Sequence, residues 1–240
     1  MKKTIIKVAA ILFLTTLTSC GIDMLNRVEG NNNVTSIKRD INTDFTKVRV
    51  STGIELIIQQ GSEISLTVEA DENLHDIIIT EVVDGKLKIY TEKNIWKSAA
   101  KRVYLTVNTI EELTASSGST VISESVLKAN NLDVSSSSGA NLTIEVAATN
   151  LISSTSSGSS LNLSGETTSH ETSASSGSSI TAYKLISKDV IAKVSSGASI
   201  SVYVSSSIDG KASSGGGISF EGNPEKITKK TSSGGRVSPR

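Results

Sequence analysis

The sequence predicts an all-β fold, a parallel β-solenoid of two sheets with about 19 residues per coil and irregular N-terminal coils. Three observations carry that prediction. The triplet Ser-Ser-Gly recurs with glycines at Gly118, Gly139, Gly158, Gly177, Gly197, Gly215 and Gly234, at spacings of 21, 19, 19, 20, 18 and 19 residues. Apolar residues keep phase with the glycine: three positions after it stand Val121, Leu142, Leu161, Ile180, Ile200, Ile218 and Val237, followed mostly by polar residues. This is strand alternation with one buried face. The approach to each glycine alternates too, with small residues three positions before it (Ala115, Ser136, Thr155, Ala174, Val194, Ala212, Thr231). Seven before it stand Leu132, Leu151, Val190, Ile208 and Ile227, with Glu111 and His170 as exceptions.

Each repeat therefore reads as two short strands joined at a tight corner, where glycine supplies the positive φ. One such coil cannot bury its apolar face, but coils stacked about 4.8 Å apart form parallel ladders, and seven of them rise roughly 30 Å. Aromatic residues make up only 3% of the chain, as expected where an Ile/Leu/Val stack lined by Ser and Ala fills a thin interior.

Taken from the N-terminus, Lys2, Lys3 and Lys7 precede the apolar run Val8 to Leu17, then small residues and a lone cysteine. That order is an export signal, and a run of ten residues is about half the ~20 a membrane-spanning helix needs. Leu17-Thr18-Ser19-Cys20 resembles a bacterial lipobox, which makes residues 1–19 a lipoprotein signal peptide and Cys20 the lipidation site. Acyl chains on Cys20 would hold the protein to a membrane without crossing it, each buried methylene adding about 0.8 kcal/mol. Residues 20–40 are the lipidated cysteine and a polar tether, and 41–237 the solenoid domain.

Within that domain, 111–237 holds the regular coils. Residues 41–110 read as irregular first coils and cap, with a separate small β-domain as the alternative. Val48, Val50, Gly53, Leu56 and Ile58 repeat the phase of the later coils. Val82 to Ile89 reads as a hairpin-like strand–turn–strand about Asp84-Gly85. Spacings of 32 from Gly53 to Gly85 and 33 from Gly85 to Gly118 would make these coils with insertions. A short helical piece is expected around Asp71 to Asp76.

Three blocks resemble a known family: Phe-Thr-Lys-Val-Arg-Val-Ser-Thr-Gly-Ile-Glu-Leu-Ile-Ile at 45–58, Val-Glu-Ala-Asp-Glu-Asn-Leu at 68–74, and Glu-Val-Val-Asp-Gly-Lys-Leu-Lys-Ile-Tyr-Thr at 81–91. Together with the Ser-Ser-Gly series they are similar to the auto-transporter adhesin head domain, the head GIN family of Bacteroidetes-type lipoproteins, over about residues 30–237. The resemblance implies a pectin-lyase-like superhelix without a recognised catalytic set, and a role in adhesion. It speaks for the fold more than for the activity.

The remaining chemistry is sparse. With 24 Lys+Arg against 24 Asp+Glu there is no basic field for nucleic acid, and one thiol forms no disulfide within the chain. A Ser-His-acid arrangement has only His75 and His170 to draw on. His170 falls in phase with an inward apolar position and reads as core; His75, beside Asp71, Glu72 and Asp76, reads as a solvated turn and not a metal site. No metal or cofactor motif is present. Six positions after the glycines stand Glu124, Glu145, Ser164, Tyr183, Tyr203 and Glu221. Glu124 with Glu145, and Tyr183 with Tyr203, are expected as neighbours on adjacent coils; cross-strand pairing on an exposed sheet is the preferred reading, and a ligand surface in which the tyrosine rings stack on sugar faces is the alternative. Lys193, Lys211 and Lys230 form a basic line that keeps the sheet soluble and blunts its edge.

The expected function is a non-enzymatic adhesion or binding module of the cell envelope, held to the outer membrane of a Gram-negative cell by its lipid. Its solenoid face would meet a glycan or an envelope or host protein. The alternatives are a polysaccharide lyase or hydrolase using Glu124 and Glu145, and a structural protein that self-associates through its last coil into a homo-oligomer.

Overall fold

The computed structural model describes residues 27–41 and 44–240. The export signal and Cys20 lie outside the described residues.

The strands run in chain order as β1 (Arg27–Glu29), β2 (Val34–Arg39), β3 (Lys47–Val50), β4 (Glu55–Gln60), β5 (Ser65–Asp71), β6 (Ile78–Val83), β7 (Lys86–Thr91), β8 (Asn94–Lys97), β9 (Lys101–Val107), β10 (Glu112–Ala115) and β11 (Thr120–Ser123). The regular region follows as β12 (Leu127–Ser136), β13 (Asn141–Thr155), β14 (Ser160–Ala174), β15 (Ser179–Val194), β16 (Ser199–Ala212), β17 (Gly217–Glu221), β18 (Lys226–Thr231) and β19 (Arg236–Pro239). Among the described residues no helix is long and apolar enough to cross a membrane. The expected helical piece is a single 3-10 turn, Glu72–Leu74.

The fold is a parallel β-solenoid, and its register is the one the phase of the glycines predicts. Leu142 pairs with Leu161, Leu161 with Ile180, Ile180 with Ile200, Ile200 with Ile218 and Ile218 with Val237. The same column continues backwards through Val121, Leu56 and Val103. Leu132, Leu151, His170, Val190, Ile208 and Ile227 form a second column. The two sheets press these columns together into one core running from Phe45 to Val237.

Only one of the two expected corners per coil is a turn. At Ser-Ser-Gly the chain reverses sharply; at the other bend the strand continues, so β13, β14 and β15 have 15, 15 and 16 residues. Alternation slips there instead, as at Thr149-Asn150, two exposed residues in succession. This bend also absorbs the unequal repeat lengths. Ile122 faces Thr143 and Leu127 faces Val146, so the 21-residue coil holds two extra residues between fixed pairs. The shifts between Ala182 and Ile186 do the same for the 20-residue coil.

The corner itself is a stack of like turns. Both central residues have positive φ, for example 51° at Ser157 and 69° at Gly158, as in a type I′ turn. The N–H of Ser159 closes the turn on the Ser156 carbonyl at 3.2 Å. Each corner glycine up to Gly215 then donates its N–H along the solenoid axis to the second serine of the next coil, as Gly158 does to Ser176 at 3.1 Å. A left-handed serine costs about 1 kcal/mol, and the axial hydrogen bond to its carbonyl offsets that strain.

The N-terminal segment stacks in the same ladder, but not in chain order. β7 and β9 lie outermost, β3 and β4 rest on them, and β10 and β11 follow. Gly53 is a true corner, donating to the Ser117 carbonyl at 2.9 Å. Gly85 is not: Asp84-Gly85 turns an antiparallel hairpin between β6 and β7, aligned with the start of β3. The spacings of 32 and 33 about Gly85 therefore do not mark coils. β6 on one sheet, and β5 with β2 on the other, pair antiparallel and close this end.

Glycine is needed for two different reasons in this fold. At Gly158 a Cβ would meet nothing within 4 Å, so only φ selects glycine. At Gly165, φ 106°, a Cβ would run into the Val146 carbonyl of the neighbouring coil. Chemical denaturation is expected to show a loss of about 1 kcal/mol for Gly158→Ala and about 3 kcal/mol or more for Gly165→Ala. Equal losses would refute the distinction.

Candidate functional site

The residues predicted to form a ligand strip are not ladder partners of one another. Glu145 pairs with Ser164, and its N–H is bound by the Ser123 hydroxyl at 2.8 Å. Glu124 lies in the two-residue excess of its coil, hydrogen-bonded through its N–H to the Ile58 carbonyl. No ladder pair joins the two carboxylates, although both are exposed. Tyr203 faces Ile186, because Tyr183 falls in the bulge between Ala182 and Ile186. The Tyr183 ring leans along the axis instead. Its hydroxyl meets Ser219 Oγ at 2.6 Å, and the Arg240 guanidinium lies 4.6 Å from the ring centroid, where a sugar would stack. Arg240 is held in turn by Glu221 at 2.9 Å.

The lysine line is in register, Lys193 on Lys211 on Lys230, beside an open groove of about 500 Å³ next to the last corners. It is partly neutralised. Lys193 donates to Glu171 at 2.8 Å, which holds its pKa above the ordinary lysine value, and Lys211 lies 3.7 Å from Asp209.

The sheet that follows each corner carries a different surface. Its outward columns read Thr120, Asn141, Ser160, Ser179, Ser199 and Gly217 in one row and Ile122, Thr143, Asn162, Thr181, Ser201 and Ser219 in the other. Not one of these side chains is charged. Asn141 and Ser160 are hydrogen-bonded to each other, and Ser201 and Ser219 meet at 3.2 Å, so the hydroxyls are partly ordered. Asn141, Thr143, Asn162, Thr181 and Ser199 are exposed. The arrangement is a flat array of donors and acceptors repeating at the coil rise, about 4.8 Å.

Both histidines are buried. His75 is only 4% exposed, with Nε2 3.0 Å from the Thr35 hydroxyl, so it is a packed part of the cap and not the solvated turn its sequence surroundings suggest. The acids beside it are otherwise engaged. Asp71 is fully buried and accepts backbone N–H groups from Asn32, Ala99 and Ala100 at 2.9–3.0 Å. Among the described residues no group of three or more His, Cys, Asp or Glu is placed to hold a metal. The Asp71 clamp has no local sequence signal, since its donors lie 28 to 39 residues away.

His170 occupies its inward column with no exposed surface. Ser153 Oγ donates to Thr172 Oγ1 at 2.8 Å and lies 2.9 Å from His170 Nε2, so the imidazole donates to the serine. That direction is opposite to the one a general base requires. Burial lowers the His170 pKa from 6.5 to about 4. The unfolded chain binds a proton near pH 6.5 while the folded chain does not, so stability falls as pH drops from there towards 4, by about 3 kcal/mol at the limit. His170→Leu, which matches Leu151 and Val190, is expected to remove most of that acid-side loss in urea titrations at pH 7 and pH 4.5. An unchanged difference between the two pH values would contradict the assignment.

A family model described as "Putative auto-transporter adhesin, head GIN domain" matches residues 44–224. No curated protein matches the sequence. Solved structures share the fold. A "putative adhesin" from Bacteroides fragilis aligns with TM-score 0.83 at 18% identity, covering 89% of this chain and 100% of that one. A "putative adhesin" from Parabacteroides merdae aligns at 0.71 and 19%, covering 90% and 99%. A "putative lipid binding protein" from Parabacteroides distasonis aligns at 0.74 and 20%, covering 89% and 99%. The stacked Ser-Ser-Gly coils, the antiparallel cap and the match across residues 44–224 make this chain a member of the auto-transporter adhesin head GIN family.

Proposed function

We propose that the protein is a non-enzymatic adhesion module of the cell envelope, tethered through a lipid on Cys20, that binds neutral glycans on the two uncharged rows of the sheet following the corners. The observation that supports this reading is the register of that sheet, which sets hydroxyl and amide groups over five successive coils in each row. A neutral sugar chain needs many weak hydrogen bonds and no counter-charge. Isolated contacts of this kind contribute about 1 kcal/mol or less each. Many copies on one membrane raise the effective affinity without any new contact. Kinship with an adhesin family and with the Bacteroides and Parabacteroides structures supports the same class of role.

The lyase or hydrolase reading finds little support. Glycoside hydrolysis needs one carboxyl group to protonate the leaving oxygen and a second to attack or activate water across the scissile bond at a fixed spacing, and Glu124 and Glu145 share no ladder pair. Self-association through the last coil is opposed by Lys229, which occupies an inward position and lies 5.3 Å over the Phe220 ring. An inward-pointing charge is a common device against edge pairing.

On arrays of immobilised neutral glycans, the wild-type chain is expected to be retained at least about tenfold better than Thr143→Glu/Thr181→Glu, a factor worth about 1.4 kcal/mol. Both threonines are exposed, so the thermal midpoint should hold. Equal retention of the two chains would sink the binding face. Separately, growth with labelled palmitate is expected to label the wild type and not Cys20→Ser; label in both would move the lipid elsewhere.

A further inference from the structure

In the outermost coil, β7 and β9 stand where every other coil has its two arms, yet no Ser-Ser-Gly joins them. Residues 92–100 take that place and carry β8, which pairs only with β1, the first strand described. On β8 stands Trp96, the one tryptophan of the chain, 59% exposed. The Arg27 guanidinium lies 5.8 Å and the Lys97 ammonium 4.8 Å from its ring. Lys97 is also 4.0 Å from Glu29. The loop borders an open cavity of about 430 Å³ whose walls include Lys93 and Lys101.

This patch is held firmly. Gly30 donates its N–H to the Lys97 carbonyl at 2.9 Å, and the Asp71 carboxylate binds Asn32 on one side and Ala99 and Ala100 on the other. A Cβ on Gly30 would collide with that carboxylate, so the two segments sit close together. A large amphipathic ring held at a fixed position between two cations has the chemistry of a membrane-interface anchor.

Chain length indicates what covers it. Six residues lie between Cys20 and Arg27, so the seven chain steps span at most about 24 Å when fully extended. With lipid on Cys20, the bilayer surface lies within that distance of β1 and therefore of Trp96. Tryptophan partitions to the membrane–water interface, and cations beside it favour anionic head groups.

We propose that Trp96, flanked by Arg27 and Lys97, docks on the anionic head-group layer of the membrane that holds the anchor. The solenoid then stands on its N-terminal cap, and its later coils project away from the bilayer. This rests on the reading of Cys20 as lipidated. The neutral sheet would run outward from the membrane, available along its length.

The sole tryptophan makes the test direct. The full chain is purified from membranes and reconstituted into phosphatidylcholine vesicles with and without phosphatidylglycerol. Sedimentation reads the anchor, and fluorescence reads Trp96. With phosphatidylglycerol present, wild-type emission is expected to shift to the blue, and its quenching by aqueous acrylamide to fall about twofold relative to Arg27→Glu/Lys97→Glu. Quenching by lipids brominated near the head group should rise in parallel. A chain that sediments with vesicles while Trp96 stays as open to acrylamide as in the double variant overturns the docking and leaves the anchor standing. A chain that remains in the supernatant overturns both.

Discussion

Coil-to-coil stacking is the constraint from which the rest of the structure follows. A single coil satisfies almost none of its own backbone hydrogen bonds outside the corner turn, so each N–H and C=O must find its partner one coil above or below. A register error of one residue would turn every Leu and Ile of a coil outward. Corners are held to the same rule. The axial bond from each corner glycine to the next coil's serine carries the ladder through the reversal, so no edge opens at the turn. Serine fits beside these turns because it is small and can satisfy its own hydroxyl. Ser159 and Ser178 sit one position past their glycines, buried, and donate back to the Ser156 and Ser175 carbonyls at 2.8 and 2.7 Å.

Because the ladder fixes the strands and the corners, tolerance is pushed to the remaining bend. There the chain gains two residues after Ile122 and three between Ala182 and Ile186 without disturbing the aliphatic column. A ladder also needs ends. One is closed by antiparallel strands, whose direction prevents a further parallel coil from docking in phase. The other is blunted by Lys229 pointing inward and by Pro239, which pairs opposite Phe220 and has no N–H to offer. The aliphatic core therefore stops at both limits, with Ile227 on β18 left 47% exposed at the C-terminal one.

What could be read from the sequence follows from the same distinction. Columns such as Leu142 to Val237 were legible because the ladder repeats a nearly constant number of residues. The continuous strand at the second bend was not. Its two-residue slip in alternation at Thr149-Asn150 looks like the gap between two strands when only the pattern is seen. The Tyr183–Tyr203 pairing failed because counting from the glycine assumes no bulge before the sixth position. The cap was hidden for a different reason: β7 lies beneath β3 although it follows it in the chain, and Asp71 gathers its donors from two distant loops. Such contacts have no period, so no spacing reveals them. The resemblance in residues 45–91 located the cap without describing it.

The two sheets differ in what selection by the fold leaves free. Inward positions are limited in size, shrinking on one column from Leu113 and Val134 through Ser153 and Thr172 to Ala192 and Gly210, where a Cβ would press on Val237. Outward positions obey no such limit, yet the two rows nearest the corners on the sheet that follows them stay uncharged through six coils, with Glu145, Lys184 and Glu221 only further along, while the opposite sheet carries Glu171, Lys193, Asp209 and Lys211. Solubility alone would favour charge on both surfaces. A polar face from which charge is withheld exposes hydroxyls and amides at lower desolvation cost than ammonium or carboxylate groups would impose. That is the property a surface needs if it must give up water to an uncharged partner, and it is the reason the neutral sheet, and not the lysine groove, is the better candidate for adhesion.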